Sequence, residues 1–264
     1  MSILERLPFV VHHSPDLGWR LFDACFREPQ GKLWLEAERL LYYHYRSSFE
    51  VVKPLIDRMR KEALDVAGEA YGRIATLCYL AGHSVIDDRP LLSLATNDSI
   101  SQGIAQVLCA NLVHTGVAEK CRATLIEMLQ IAETSTAALA ALGRRMASEH
   151  ADGPVDPELV LLSVGAMGHL KEARDTWGLC KWLERNTSQY PLAALEICEK
   201  LIALPTEGHV RFSGEMVPIL LELLREADET DDPELISRTI KLQDSWLSLD
   251  VLGVDELLDN SARS

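Results

Sequence analysis

Four groups of residues in this 264-residue chain carry functional groups that could do chemistry: six cysteines, a histidine pair, an acidic run, and an aromatic cluster with arginine. The cysteines, Cys25, Cys78, Cys109, Cys121, Cys180 and Cys198, stand singly, with no Cys-x-x-Cys among them. They fall mid-helix in the predicted elements, where a thiol is a small, unreactive packing group, reduced rather than bridged. His12 and His13 are adjacent, so on a helix they face different directions, and no His-Glu-x-x-His accompanies them. Asp228-Glu229-Thr230-Asp231-Asp232 lacks the loop length, glycine and terminal glutamate of a calcium hand, and reads as a solvated turn ending in a helix cap. A phosphate loop is absent: Gly31-Lys32 has neither the upstream glycine nor the following hydroxyl. Gly165-Ala166-Met167-Gly168 sits in an apolar stretch without basic flanks, which predicts close helix packing rather than a nucleic-acid clamp. No Gly-x-Ser-x-Gly elbow occurs. These readings assign no catalytic, cofactor-binding or metal residue.

The aromatic cluster is Trp34, Tyr42, Tyr43, His44, Tyr45 and Arg46. Trp34, Ala37, Leu41 and Tyr45 share one helix face, and the burial payload of aromatic rings predicts a core role for that face. Tyr42, Tyr43 and Arg46 then fall outside. Tyrosine and arginine are enriched at binding hot spots, so these three are the candidate protein-binding residues.

The elements that must position them are helices. Helical periodicity runs through every long segment, with no sustained alternation, and no alternating runs flank the single Asp-Gly, Asp152-Gly153, as a hairpin would need. Ser14-Pro15-Asp16, Asp156-Pro157-Glu158 and Asp232-Pro233-Glu234 each combine a capping side chain, proline at the first helical position and a carboxylate near the positive helix end. Helices are predicted near 15–27, 32–47, 50–61, 64–80, 90–95, 99–113, 119–132, 134–148, 157–174, 176–185, 191–204, 214–227 and 233–249. Ile100, Ile104, Val107, Leu108 and Leu112 form one stripe, and Cys121, Leu125, Met128 and Ala132 another. Met216 through Leu224 reads as apolar all round, implying burial on several sides, whereas Leu235, Thr239, Leu242, Trp246 and Leu249 form a single stripe suited to a closing helix.

Segments beginning at Val66, Ile100 and Thr136 are similar, about 34 and 36 residues apart, within the period of helical-pair repeats. The fold class is therefore all-α, a HEAT-like α-solenoid of stacked antiparallel helix pairs. The chain reads as one helical-repeat domain over 1–264, its best break falling at 150–157.

Charge bounds the partners. With 26 basic and 40 acidic residues the net charge is −14, and no basic run offsets it, so nucleic acid is not an expected partner. The longest mostly apolar run, Leu159 to Leu170, is shorter than the roughly 20 residues that span a bilayer, and the start of the chain carries no long apolar stretch. No membrane role is expected, and the expected compartment is the cytoplasm.

Taken with Phe49-Glu50-Val51-Val52-Lys53-Pro54-Leu55-Ile56-Asp57-Arg58-Met59, Gly103-Ile104-Ala105-Gln106-Val107-Leu108-Cys109-Ala110-Asn111-Leu112 and Leu195-Glu196-Ile197-Cys198-Glu199, the pattern resembles the C-terminal helical-repeat region of large bacterial STAND-type ATPases. Asp232-Pro233-Glu234-Leu235-Ile236-Ser237-Arg238, then Asp244, then Gly253-Val254-Asp255-Glu256-Leu257-Leu258 extend it toward the C-terminus. The resemblance implies a role in sensing or regulation within bacterial signalling or anti-phage defence. It implies a non-enzymatic module, since the chain lacks the phosphate loop and no catalytic residue carries over. Two other functions fit the same fold: an enzyme working in a concave groove lined by Lys and Arg, and a structural scaffold subunit.

Overall fold

The computed structural model describes residues 3–27, 31–85, 90–148, 155–168, 176–204 and 216–248. The described residues are all-α. They form thirteen α-helices and one 3-10 turn, with no strand among them. Two compact units divide the chain, Met1–Met128 and Leu129–Ser264. The break expected at 150–157 falls mostly on residues 149–154, outside the described set. The acidic residues Asp255, Glu256 and Asp259, and the Gly253–Leu258 segment of the resemblance, also lie outside it.

In the first unit the helices are α1 (Ile3–His13), α2 (Pro15–Cys25), α3 (Leu33–His44), α4 (Phe49–Glu62), α5 (Leu64–Leu80), α6 (Asp98–Ala110) and α7 (Ala118–Gln130), the last ending just past the unit boundary. A 3-10 turn at Leu91–Leu94 replaces the helix expected at 90–95. α1 packs on α3, α3 on α5 and α5 on α6, while α2 and α4 lie against α1, α3 and α5. The second unit holds α8 (Ala132–Ala147), α9 (Pro157–Met167), α10 (Trp177–Asn186), α11 (Pro191–Ala203), α12 (Met216–Thr230) and α13 (Pro233–Ser248). There α8 packs on α10 and α10 on α12, while α9 packs on α11 and α11 on α13. The second unit thus places each helix against its next-but-one neighbour, whereas in the first only α1, α3 and α5 follow that order and α5 packs mainly on α6.

Cross-helix bonds have the same register. Arg73 on α5 pairs with Glu38 on α3, 35 residues away; Arg238 on α13 pairs with Glu199 on α11, 39 away; Arg185 on α10 donates to the Met146 carbonyl of α8, 39 away. Gly68 lies against Asn97 and Ser99 at the start of α6, and Arg73 bonds Gln106 farther along, so α5 and α6 run in the same direction.

The helix starts follow their capping chemistry. Asp156 Oδ1 accepts from the Glu158 amide at 2.9 Å, Asp232 Oδ1 from the Glu234 amide at 2.9 Å, and Asn97 Oδ1 from the Ile100 amide at 3.0 Å. Ser14 precedes Pro15 as expected but makes no side-chain cap bond. Asp231 takes a left-handed φ of 50° in the turn between α12 and α13, and the acidic run resolves into that turn plus the Asp232 cap. At the end of α5, Gly82 at φ 87° lets the His83 amide reach the Cys78 carbonyl at 2.9 Å.

Several expectations change. α1 lies before the first predicted helix and continues through Pro8. Ala132 does not close the α7 stripe; it opens α8, and it is exposed. α12 is not buried all round. Met216, Ile219, Leu220, Leu223 and Ala227 form one buried stripe and Leu221 is exposed, so the helix keeps an outer face. On α13 the buried residues are Leu235, Thr239, Leu242 and Trp246, the stripe expected, with Leu249 outside the described residues.

Of the two glycines expected to pack closely, Gly168 does so, a Cβ there meeting the Leu204 side chain at 3.3 Å. Gly165 is exposed, and a Cβ there would meet nothing. The close crossings are at Gly72 and Gly103, where a Cβ would strike the Ile100 and Glu69 carbonyls, and at Gly178, where it would strike the Gly143 carbonyl. These positions bring α5 onto α6 and α8 onto α10.

Candidate protein-binding surface

α3 has a buried side and an outer side. Trp34, Ala37, Leu40, Leu41 and His44 are buried. The Trp34 ring packs 4.5 Å from Phe26, and its Nε1 donates to Glu62 Oε2 at 3.2 Å. Arg58 holds the other Glu62 oxygen at 2.6 Å, donates to the Phe26 carbonyl, and places its guanidinium 5.8 Å from the Trp34 ring. This knot joins α3 to α4 and to the end of α2, and so fixes which face of α3 points outward.

On that outward face lie the three candidate residues. Tyr42 and Tyr43 are 54% and 56% exposed, and Arg46 is exposed just past the helix end. The two tyrosine rings meet edge to face at 5.7 Å; Tyr42 lies 6.4 Å from Tyr45, over whose ring the Arg46 guanidinium sits at 5.7 Å. Neither the Tyr42 nor the Tyr43 hydroxyl has a hydrogen-bond partner among the described residues. Tyr45, expected in the core, is half-buried between the two sides. The chemistry available is broad apolar contact with polar tips, plus one cation, which is what a protein interface uses.

His44, between the exposed Tyr43 and the half-buried Tyr45 in sequence, is buried. Ten residues after Trp34 and three after Leu41, it belongs to the inner stripe, a periodicity that could have revealed it. Burial lowers its pKa first; a hydrogen bond with the Pro8 carbonyl raises it, and His12 lowers it again. Its Nε2 is buried without a partner, and the Trp19 ring lies 5.7 Å away. A histidine kept neutral in the fold but free to take a proton when unfolded, below about pH 6.5, disfavours the native state as pH falls. Stability should therefore be flat above that pH and decline below it toward the lowered native value. Thermal unfolding at stepped pH should show this loss, and His44→Leu should reduce it.

Two further features escaped the sequence. Arg73 joins α3, α5 and α6: it holds Glu38 through two bonds, at 2.5 and 2.8 Å, and Gln106 at 3.1 Å, while Gln106 Nε2 donates to Glu69 at 2.7 Å. The hydrogen bonds with Glu38 raise its pKa most. Lys120 on α7 donates to the Tyr79 carbonyl at 2.6 Å and lies 3.6 Å from that ring, closing the end of α5 beside a cavity of about 220 Å³ that His83 and Ser84 also line. A second cavity, about 380 Å³, lies between α8 and α10 around Leu139, Arg144, Met167 and Trp177.

Five cysteines are buried, and burial pushes the Cys78 thiol up to about 12 and Cys121 up to about 11. Cys25 departs from the mid-helix expectation, being half-buried at the last position of α2. His12 and His13 are both exposed, their rings 5.0 Å apart edge to face. No group of three or more His, Cys, Asp or Glu among the described residues could hold a metal, and no helix among them is long and apolar enough to cross a membrane.

No family model, no curated protein sequence and no solved structure matches the chain.

Proposed function

We propose that this protein is a non-enzymatic, cytoplasmic protein-binding module, a HEAT-like solenoid of stacked helix pairs that presents Tyr42, Tyr43 and Arg46 to a protein partner. The observation that carries it is the outer face of α3, where two adjacent tyrosines stand more than half exposed over a tightly packed inner face. Leaving just over half of each ring exposed forfeits burial worth about 1 kcal/mol each, so their adjacent position favours a partner that covers them. Next-but-one helix packing through the second unit, and along α1, α3 and α5 in the first, supports the repeat architecture. By its resemblance to the helical-repeat region of STAND-type ATPases, the module serves as a sensor or regulatory part of a bacterial signalling or anti-phage defence system.

Affinity capture with the full chain, followed by affinity measurement on the captured protein, tests this. The triple substitution Y42A/Y43A/R46A should weaken that binding by about a hundredfold while leaving the helical content unchanged. Unchanged binding, or a specific small molecule as the only retained ligand, would overturn it.

A further inference from the structure

The outer face of α3 carries more order than its tyrosines. Lys32, Arg39 and Arg46 recur at seven-residue intervals, with Leu35 and Tyr42 between them at the alternating three-four spacing of a coiled-coil seam, and all five are exposed. Helical geometry spans the whole stripe: Lys32 has φ −66° and ψ −27°, and past the last residue of α3 the Tyr45 amide reaches the Leu41 carbonyl at 2.9 Å and the Ser48 amide the His44 carbonyl at 3.0 Å. At about 1.5 Å rise per residue the three cations are spaced about 10.5 Å apart in a line. Glu36 and Tyr43 form the flanking row.

The net charge of −14 gives the protein many carboxylates that could pair with its arginines. Arg58, Arg73, Arg225 and Arg238 all hold glutamates. Lys32, Arg39 and Arg46 hold none among the described residues. Three unclaimed cations on one stripe, interleaved with apolar side chains, are complementary to an anionic surface that is also apolar. The three-four spacing suits a partner helix lying along α3 at a shallow angle, since only a second helix repeats its side chains at that interval. A nucleic acid fits less well: its phosphates recur about every 3.4 Å along a strand, Leu35 offers no stacking face, and the −14 charge repels a polyanion as a whole.

We propose that the outer stripe of α3 docks an acidic amphipathic helix of a protein partner, with carboxylates at seven-residue intervals facing Lys32, Arg39 and Arg46 and apolar side chains packing on Leu35 and Tyr42. This rests on the protein-binding reading above and adds the sign, spacing and helical form of what binds.

The probe is a synthetic amphipathic helical peptide of about three heptads, with glutamate at one position of each heptad beside leucine; its control has lysine in place of each glutamate. In fluorescence anisotropy with the full chain, the glutamate peptide binds, added salt weakens it, and the lysine peptide does not bind. K32E/R39E/R46E lowers affinity for the glutamate peptide by about tenfold or more and gains binding to the lysine peptide. Failure of the glutamate peptide to bind, equal binding of both peptides, or indifference to the charge reversal overturns the proposal. So does displacement of the glutamate peptide by oligo(dT) with tighter binding of the latter, which would make the stripe a nucleic-acid surface. A captured partner that depends on Tyr42, Tyr43 and Arg46 but not on Lys32 and Arg39 would sink this proposal and leave the broader reading standing.

Discussion

Gly103→Ala should destabilise the first unit by about 2 kcal/mol or more, although helix propensity taken alone predicts a gain of about 1 kcal/mol. The Cβ would meet the Glu69 carbonyl and the Arg73 amide nitrogen, both backbone atoms of α5 that no rotamer change can move. α5 and α6 would have to separate, stretching the bonds that Arg73 and Gln106 make across the crossing. Gly165→Ala is the matched control. Exposed in α9 with nothing near its Cβ, Gly165 should follow propensity and stabilise the protein by about 0.5–1 kcal/mol. Denaturant unfolding of both variants checks the pair, and opposite signs are the expected result. Two gains would mean that α5 and α6 do not approach closely at Gly103.

Trp34→Ala should cost about 3–5 kcal/mol, the range for emptying a fully buried aromatic site. The substitution removes the ring that packs on Phe26 and Phe22, the indole N–H that satisfies Glu62, and the surface over which Arg58 lies. Trp34→Phe keeps the apolar contact and loses the indole N–H, so about 1–2 kcal/mol is expected. Calorimetric Tm values should therefore rank wild type, Phe and Ala in that order, with the Ala variant lower by on the order of 10 °C. A small effect of the Ala variant would show that α2, α3 and α4 are not tied through this ring. Partner binding should fall with stability, because the same knot sets the orientation of Tyr42 and Tyr43.

Helix positions were legible wherever local chemistry decides them. The predicted 64–80 segment is α5 end to end, and the Asp156 and Asp232 caps form as their Asp-Pro-Glu sequences require. The inner and outer sides of α3 were legible for the same reason: periodicity alone separates Trp34, Ala37 and Leu41 from Tyr42 and Tyr43. What the sequence withheld depends on partners distant along the chain. Glu69 and Arg73 are visible as a pair four residues apart, but Glu38 and Gln106 join them only once α3, α5 and α6 are in place. Nothing local distinguishes Gly103, which carries a helix crossing, from Gly165, which faces outward. α1, outside the predicted helices, contains Pro8, a helix-breaking residue, and is held by the packing of Leu4, Leu7 and Val11. His44 was obscured by its neighbouring tyrosines, although its spacing from Trp34 and Leu41 places it inside.

The lysine and arginine stripe shows the value of reading exposure together with periodicity. In sequence, Lys32, Arg39 and Arg46 are scattered charges; on α3 they fall on one line with Leu35 and Tyr42. Net charge describes the protein at long range, and a local stripe of opposite sign can still select its partner at contact distance.

The most direct test of the central claim, that contact is made through the outer face of α3, is photo-crosslinking in the cells that express the protein. A photoreactive residue at position 43 should yield a discrete protein adduct that the same probe at Asp228, on the exposed end of α12, does not. Absence of any adduct at position 43, with a specific one at position 228, would contradict the account.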